Sequence, residues 1–308
     1  MIDVTLLGTA ATMPLPERAL SSALVSCRGR SVLFDCGEGT QTAARRAGVS
    51  LFKTDIIALT HYHGDHIFGL PGLLQTLGCL GREQPLYITG PEGLKEILSP
   101  ILRLSGPMPF QIYALSAPAG ALRLSEILPD WPEEAYLHSF ATCHRVPSLG
   151  YKLELTRPGK FNPENAKKLG VPVTQWKLLQ HGEPVTLPDG KTVRPEQVTG
   201  PERRGLSLVF SGDTAPCDSL LAAAEDTDLL ICDATYGDDL LADQAGKYGH
   251  STFAESADLA RKAGAKRLWL THFSQMMKDP KEYLPFAAGI YPDAVCGEDG
   301  MTLTLRYE

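Results

Sequence analysis

Along the chain, short apolar runs alternate with segments whose apolar positions return every three or four residues, which is the pattern of strands followed by helices. Residues 3–7, 22–26 and 31–34 are β-branched or apolar runs bounded by glycine and polar turn residues, and predict strands. Residues 40–47 predict a helix and 55–59 a buried strand, so the polar residues from His61 to Asp65 fall on a loop at a strand's C-terminal end. Helices are expected over 70–80 and 93–104, with a strand at 86–89 between them. Breakers follow at Gly106–Pro109 and Pro118–Gly120, then two strands at 134–143 and 149–155. Residues 156–205 are polar and rich in Pro, Gly and Lys, and read as a protruding arm with one short helix near 163–169. Strands at 206–210 and 229–232, a helix at 252–263 and a last buried strand at 267–270 complete the pattern. Strands and helices in alternation favour a layered α/β architecture, as a single domain over 1–308 carrying the 156–205 insertion.

Composition narrows the class. At 308 residues, with 43% hydrophobic and 21% charged residues, the chain has the make-up of a globular protein with a large core. No run of about 18 apolar residues occurs, so no membrane span is expected. The start, Met1-Ile2-Asp3-Val4-Thr5, has no basic segment followed by an apolar stretch, so no secretory leader is expected. The seven cysteines are odd in number and scattered without a Cys-x-x-Cys pair, which suits reduced, mostly buried thiols in the cytoplasm.

The net charge of −7 argues against a nucleic-acid partner until its distribution is considered. Between residues 145 and 210 eleven Lys/Arg face six Asp/Glu, a local +5, which leaves −12 for the remainder. A basic segment on an acidic body suits local phosphate contact, and equally a solvated polar insertion.

The sharpest chemical signal is Thr60-His61-Tyr62-His63-Gly64-Asp65-His66. Three imidazoles and a carboxylate in six residues are hard to explain by core packing, and they form a mixed nitrogen and oxygen set that zinc accepts. In a tight loop His61 and His63 can face one way while Asp65 and His66 face another, which suits two close metals and an in-line phosphoryl displacement.

This loop resembles the His-x-His-x-Asp-His signature of the metallo-β-lactamase superfamily, and the resemblance to its ribonuclease Z family extends along most of the chain. It rests on Leu7-Gly8-Thr9 with Pro14 and Arg18, on Phe34-Asp35-Cys36-Gly37-Glu38-Gly39-Thr40, and on Gly69-Leu70-Pro71-Gly72-Leu73-Leu74. His144-Arg145-Val146-Pro147-Ser148-Leu149-Gly150-Tyr151, Ser211-Gly212-Asp213-Thr214, Gly249-His250-Ser251-Thr252 and Leu270-Thr271-His272-Phe273-Ser274 continue the series in order. The resemblance implies an αβ/βα sandwich with an inserted tRNA-binding arm, and a zinc-dependent endoribonuclease that cuts the 3′ trailer from precursor tRNA. It implies one zinc on His61, His63 and His144, a second on Asp65, His66 and His272, and Asp213 as the bridge; manganese accepts the same donors. Taken singly, His144 reads as a strand-end residue, Asp213 as a turn residue and His272 as a cap.

The same resemblance gives His250 the role of proton donor to the ribose oxygen that leaves; the mechanism expected beside it has Asp65 orienting the attacking water or accepting its proton. The family's supporting glutamate lies in His-Glu-Ala-Thr; here the run is Cys232-Asp233-Ala234-Thr235, so Asp233 offers a carboxylate on a shorter arm. Asp35 is expected to hold a ligand imidazole, or to be a plain turn residue; His138 and His181 match no motif. On the arm, Lys160, Lys167, Lys168, Lys177, Arg203 and Arg204 are the candidates for RNA phosphates, although Gly170-Val171-Pro172 only partly matches the family's Gly-Pro tip. A homodimer, possible through the helix at 70–80, is implied by the family. Rival readings are a phosphodiesterase for cyclic nucleotides, a hydrolase of thioesters or lactams, and a catalytically idle RNA-binding protein.

Overall fold

A computed structural model describes residues 1–117 and 120–307; Pro118 and Ala119 of the second predicted breaker lie outside the described residues. In chain order the first half comprises β1 (Ile2–Gly8), β2 (Ser22–Cys27), β3 (Arg30–Phe34), α1 (Thr40–Arg46), β4 (Thr54–Ala58), α2 (Gly64–Ile67), α3 (Leu70–Cys79), β5 (Leu86–Gly90), α4 (Leu94–Ser105) and β6 (Ile112–Ser116). Next come β7 (Ala121–Arg123), β8 (Ala135–Ala141), β9 (Leu149–Arg157), α5 (Pro163–Lys168), α6 (Trp176–Gln180), β10 (Val185–Thr186) and β11 (Thr192–Val193). The remainder is β12 (Arg203–Phe210), α7 (Asp218–Ala223), β13 (Leu229–Asp233), α8 (Ala242–Tyr248), α9 (Phe253–Ala263), β14 (Leu268–Thr271), α10 (Leu284–Ala288), β15 (Ala294–Cys296) and β16 (Thr302–Leu305).

Two seven-stranded mixed sheets result, in the orders β16-β1-β2-β3-β4-β5-β6 and β15-β14-β13-β12-β9-β8-β7. In the first, β3, β4, β5 and β6 run parallel; in the second, β12, β13, β14 and β15 do. One face of the first sheet packs on α1, α3 and α4, and one face of the second on α7, α9 and α10. The opposite faces meet through stacked rings, Phe34 on Phe210 at 5.4 Å and on Tyr151 at 5.8 Å between centroids. This is the αβ/βα layering the sequence resemblance implies. Strands buried on both faces read as unbroken apolar runs, which is why β3, β4, β12 and β13 were legible.

Several expectations need correction. The strand at 267–270 is not the last: β15 follows it in the second sheet, and β16 returns to pair with β1 in the first. Thr252 lies outside its helix as the N-cap, its hydroxyl accepting from the Glu255 amide while Glu255 accepts from the Thr252 amide. Five helices unseen in the sequence, α2, α6, α7, α8 and α10, have only four to seven residues, too few to establish a 3.6-residue period.

The chain divides into two compact units, 1–154 with 206–308, and 155–205. The second is more than a polar excursion with one helix. Beside α5, capped by the Asn162 side chain, it holds α6 and the β10–β11 hairpin around its own buried core of Ala166, Val171, Leu179, Val185, Leu187, Val193 and Val198. The sparse apolar positions of this stretch converge on one interior. Lys160, Lys167, Lys168, Lys177, Arg203 and Arg204 are all exposed on this unit, and Arg203 donates to the Pro158 carbonyl at 3.0 Å.

At the edge of the first unit, the fully buried Asp55 carboxylate accepts from Arg30 and, at 2.7 Å, from the Trp131 indole. Asp55→Ala leaves the buried Trp131 indole N–H without a partner and the half-buried Arg30 guanidinium with only Asp130, at 3.8 Å. We expect it to destabilise the fold by about 1–3 kcal/mol, read as a fall in the urea midpoint at constant m-value.

Candidate metal centre

The centre lies at the C-terminal ends of the parallel strands of both sheets, where such sheets open a crevice. Just past β3, Asp35 turns into the left-handed region (φ 55°) with its carboxylate wholly buried. It accepts from the Thr60 amide (2.8 Å), the Thr60 hydroxyl (2.9 Å) and His66 Nδ1 (2.7 Å). Past β4, residues 61–66 form the loop that opens α2, with His63 as its N-cap residue. Cys36 N donates to the His66 carbonyl and Gly69 N to the Cys36 carbonyl, bracing the loop against the segment after β3. A side chain on Gly37 would overlap the Asp65 carbonyl, and one on Gly69 that of Gly37. From the second sheet come Asp213 past β12, Asp233 at the end of β13 and His272 past β14, while His144 lies between β8 and β9.

Protons on the outer nitrogens fix the direction of each inner lone pair. The Thr60 hydroxyl donates to Asp35, so it accepts from His61 Nδ1 (3.0 Å) and leaves His61 Nε2 bare. His66 donates from Nδ1 to Asp35, and His144 from Nδ1 to the Gly249 carbonyl (2.8 Å). Thr235 donates its hydroxyl proton to Asp233 (2.7 Å) and accepts from His272 Nδ1 (2.8 Å). Four bare Nε2 atoms therefore point inward together with His63 Nδ1.

These atoms crowd one another: His63 Nδ1 lies 2.9 Å from His61 Nε2 and 3.4 Å from His144 Nε2, and His66 Nε2 lies 3.3 Å from His272 Nε2. Asp213 sits between the groups, Oδ2 at 3.6 Å from His61 Nε2, and Oδ1 at 3.2 Å from the Nε2 atoms of both His66 and His272. That Oδ1 is buried without a hydrogen-bond partner. Asp65 Oδ2 lies 3.5 Å from His272 Nε2 and 3.7 Å from His66 Nε2. Two sets of donor atoms each fall within 4.8 Å: His61, His63, His144 and Asp213, and Asp65, His66 and His272. Converging lone pairs around an orphaned carboxylate oxygen repel unless cations lie among them. Imidazole nitrogen and carboxylate oxygen together fit divalent zinc or manganese.

Electrostatics agree with a cation site. Desolvation holds His61 well below the ordinary imidazole value, helped by the His66 charge; it lowers His63 and His144 too. Neutral imidazole is the ligating form. Desolvation also lowers His66, but the Asp213 and Asp35 carboxylates outweigh it and raise the ring above its usual value, so a proton competes with a metal there. Asp213 is held well below the carboxylate range because His272, His66 and His61 outweigh its desolvation.

A third cluster joins Asp213, Asp233, His250 and His272. Here Asp233 is spent on hydrogen bonds, accepting from Thr214 N (3.1 Å), Thr235 N (2.8 Å), the Thr235 hydroxyl and His250 Nδ1 (2.8 Å). Against desolvation, the Asp233 charge and hydrogen bond push His250 up to about 9. The Asp233–His250 pair therefore forms despite the shorter arm.

Elsewhere, His138 pairs with Glu154 at 3.1 Å on the strand surface, and His181 lies exposed on the second unit. Sequence reading missed Thr60 and Thr235, hydroxyl residues at strand ends whose only signal was adjacency to His61 and closeness to Asp233. It also missed Thr12, whose amide donates to Asp65 at 2.7 Å. All seven cysteines are free, but Cys79 and Cys143 are exposed rather than buried.

The chain matches the family model of the metallo-beta-lactamase superfamily over residues 16–284. It is 38% identical to the ribonuclease Z of Lachnoclostridium phytofermentans, covering 100% of this chain and 99% of that protein. It is 39% identical to the ribonuclease Z of Clostridium tetani over the whole of both. The crystal structure of human tRNase Z, short form, aligns with a TM-score of 0.68 at 29% identity, over 99% of this chain and 100% of that one.

Since Asp35 fixes both the His66 ring and the Thr60 hydroxyl that orients His61, Asp35→Ala should weaken metal affinity about 10- to 100-fold. Competition with a chelator of known affinity, followed by metal content per chain, measures this; unchanged affinity would remove Asp35 from the support of the cluster.

Proposed function

The chain belongs to the ribonuclease Z family of the metallo-beta-lactamase superfamily, and from that premise we infer that it is a metal-dependent endoribonuclease cutting the 3′ trailer from precursor tRNA. The observation that carries this reading is 38–39% identity over the full length to ribonuclease Z relatives, joined to a convergence of five imidazoles and two carboxylates. We further propose two zinc ions per subunit, one on His61, His63 and His144, one on Asp65, His66 and His272, with Asp213 between them. Dications bound there would lower the pKa of water beside them and stabilise the extra negative charge of the transition state.

The chain's own groups do the rest. Asp65, fixed by the Thr12 amide, orients the attacking water and takes its proton. As the water oxygen bonds to phosphorus, the bond from phosphorus to the ribose 3′ oxygen breaks, and His250 gives that oxygen its proton. The tRNA leaves with a 3′-hydroxyl and the trailer with a 5′-phosphate. Asp233 holds His250 in place and protonated, and Thr235, bonded to Asp233 and His272 and 3.1 Å from His250 Nδ1, couples the acid to the cluster.

The unit at 155–205 serves in this reading as the inserted arm within one catalytic domain. Its exposed Lys160, Lys167, Lys168, Lys177, Arg203 and Arg204 would meet tRNA phosphates away from the cut. A cytoplasmic homodimer completes the proposal. Phe68, Leu80 and Leu104 are exposed at the ends of α3 and α4, although the apolar face of α3 itself is buried in the chain. No helix among the described residues is long and apolar enough to cross a membrane, and the seven free thiols suit a reducing compartment.

Incubated with an end-labelled precursor tRNA, the protein should cut at the acceptor-stem boundary in a metal-dependent way and leave phosphate on the trailer, with no cleavage by His63→Ala. Phosphate on the tRNA end rules out this scheme. Failure to cut, with a small phosphodiester still hydrolysed, transfers the function to small nucleotides.

Asp233→Asn should lower kcat about 10- to 100-fold with little change in KM. Because the Asp233 charge raises His250, its loss lowers the pH at which that ring deprotonates. The alkaline limb of the kcat profile should therefore move to lower pH; a profile that stays in place takes Asp233 out of the mechanism.

A further inference from the structure

Two cations beside the metal centre are used by nothing described so far. Arg145 directly follows His144, and Lys247 and Tyr248 end α8 two residues before His250. The segments are locked together through Gly249, which is left-handed (φ 71°) and whose carbonyl takes the His144 proton. A Cβ on Gly249 would lie 2.7 Å from His144 Cα and 3.2 Å from the Arg145 nitrogen. The Arg145 guanidinium stands 5.0 Å from the centre of the Tyr248 ring and the Lys247 ammonium 5.8 Å from it.

Both cations lie against one aromatic ring, so they stand no more than about 11 Å apart and cation–π attraction is the contact that holds each. Arg30, Lys262, Lys266 and Lys281 each meet a carboxylate. Among the described residues, Arg145 and Lys247 have none within 4 Å, and both are exposed. The positive charge of Arg145 is felt at His63 and at Tyr236, so the pair borders the cluster. His63 is the more open member, whereas His61 and His66 are fully buried. Two exposed cations without a carboxylate draw an anion to this rim, and the planar fork of arginine is shaped for phosphate oxygens.

The His250 ring lies 5.0 Å from that of His144, and Arg145 adjoins His144 in the chain while Lys247 lies three residues before His250. If His250 protonates the oxygen that departs with the tRNA, its neighbours face the tRNA strand and not the trailer. We propose that Arg145 and Lys247, held by Tyr248, clamp the backbone phosphate one nucleotide on the tRNA side of the scissile bond. The inference rests on the tRNA-cleaving reading and adds to it the group that sets the strand's position at the cut.

The test uses precursor tRNA carrying one neutral methylphosphonate, either at that phosphate or at the first phosphate on the trailer side. Wild-type protein should lose about tenfold or more in kcat/KM on the first substrate, and clearly less on the second. Arg145→Gln/Lys247→Gln should show a similar loss on unmodified precursor, and the methylphosphonate should then cost it less than about twofold more. Wild-type indifference to the tRNA-side substitution, a larger effect on the trailer side, or losses that multiply in the variant would each overturn the clamp. Metal content per chain guards against a displaced His144, and the wild-type comparison of the two phosphates stands whatever the variant does. Cleavage of unmodified precursor is the control. Its absence defeats the tRNA reading and the clamp with it, whereas normal cleavage with indifference to the tRNA-side phosphate defeats the clamp alone.

Discussion

An imidazole can turn only one nitrogen lone pair towards a cation, so a cluster of histidines works only if the proton on each other nitrogen has an acceptor. The protein supplies those acceptors from outside the cluster: Asp35 for His66, the Thr60 hydroxyl for His61, the Gly249 carbonyl for His144 and Thr235 for His272. Two of them are hydroxyls able to accept only because each gives its own proton to a buried carboxylate, Asp35 or Asp233. The direction of the inner lone pairs is thus set two bonds away from the centre. Replacing either threonine with valine would keep the shape and leave the tautomer of its histidine undirected.

Holding bare nitrogens and carboxylate oxygens 3–4 Å apart is unfavourable before cations bind, and the rest of the fold must sustain it. Asp35 and His272 are in addition left-handed non-glycine residues, a conformation worth about 1–3 kcal/mol of local strain each. What opposes this is the packing of one sheet on the other. Leu149 N donates to the Thr60 carbonyl and the Tyr151 hydroxyl to that of Leu59, so β9 of the second sheet grips the chain just past β4 of the first. Gly212, left-handed and with room for no side chain against Thr60, lets Asp213 approach from across the interface. The two halves of the ligand set come from different sheets, and these contacts fix their register.

What could be read from the sequence follows the same division. Residues 61–66 announce themselves because three histidines and an aspartate are local in the chain, and the buried strands around them are continuous apolar runs. Asp213 and His272 are single residues whose meaning depends on a fold, so they were legible only through motif order. Thr60 and Thr235 were written beside known positions but could not be weighed, because the proton each passes on is a property of three dimensions. The arm's interior was hidden because its core residues are spread thinly through polar sequence. β16 was hidden because a strand that closes the opposite sheet has no local sign of where it pairs.

The distribution of charge makes an acidic chain compatible with an RNA substrate. The centre itself holds three buried aspartates, Asp35, Asp213 and Asp233, beside the partly buried Asp65, and without dications it would repel a phosphodiester. Charges farther apart than about 8 Å are largely screened at physiological ionic strength, so the net −7 matters less to a bound strand than the groups within that distance. The local excess of +5 begins at Arg145, one residue past His144, and continues into the exposed cations of the 155–205 unit. Positive charge confined to such stretches binds phosphates only where a substrate's shape brings them together, and the acidic remainder discourages RNA that merely carries charge.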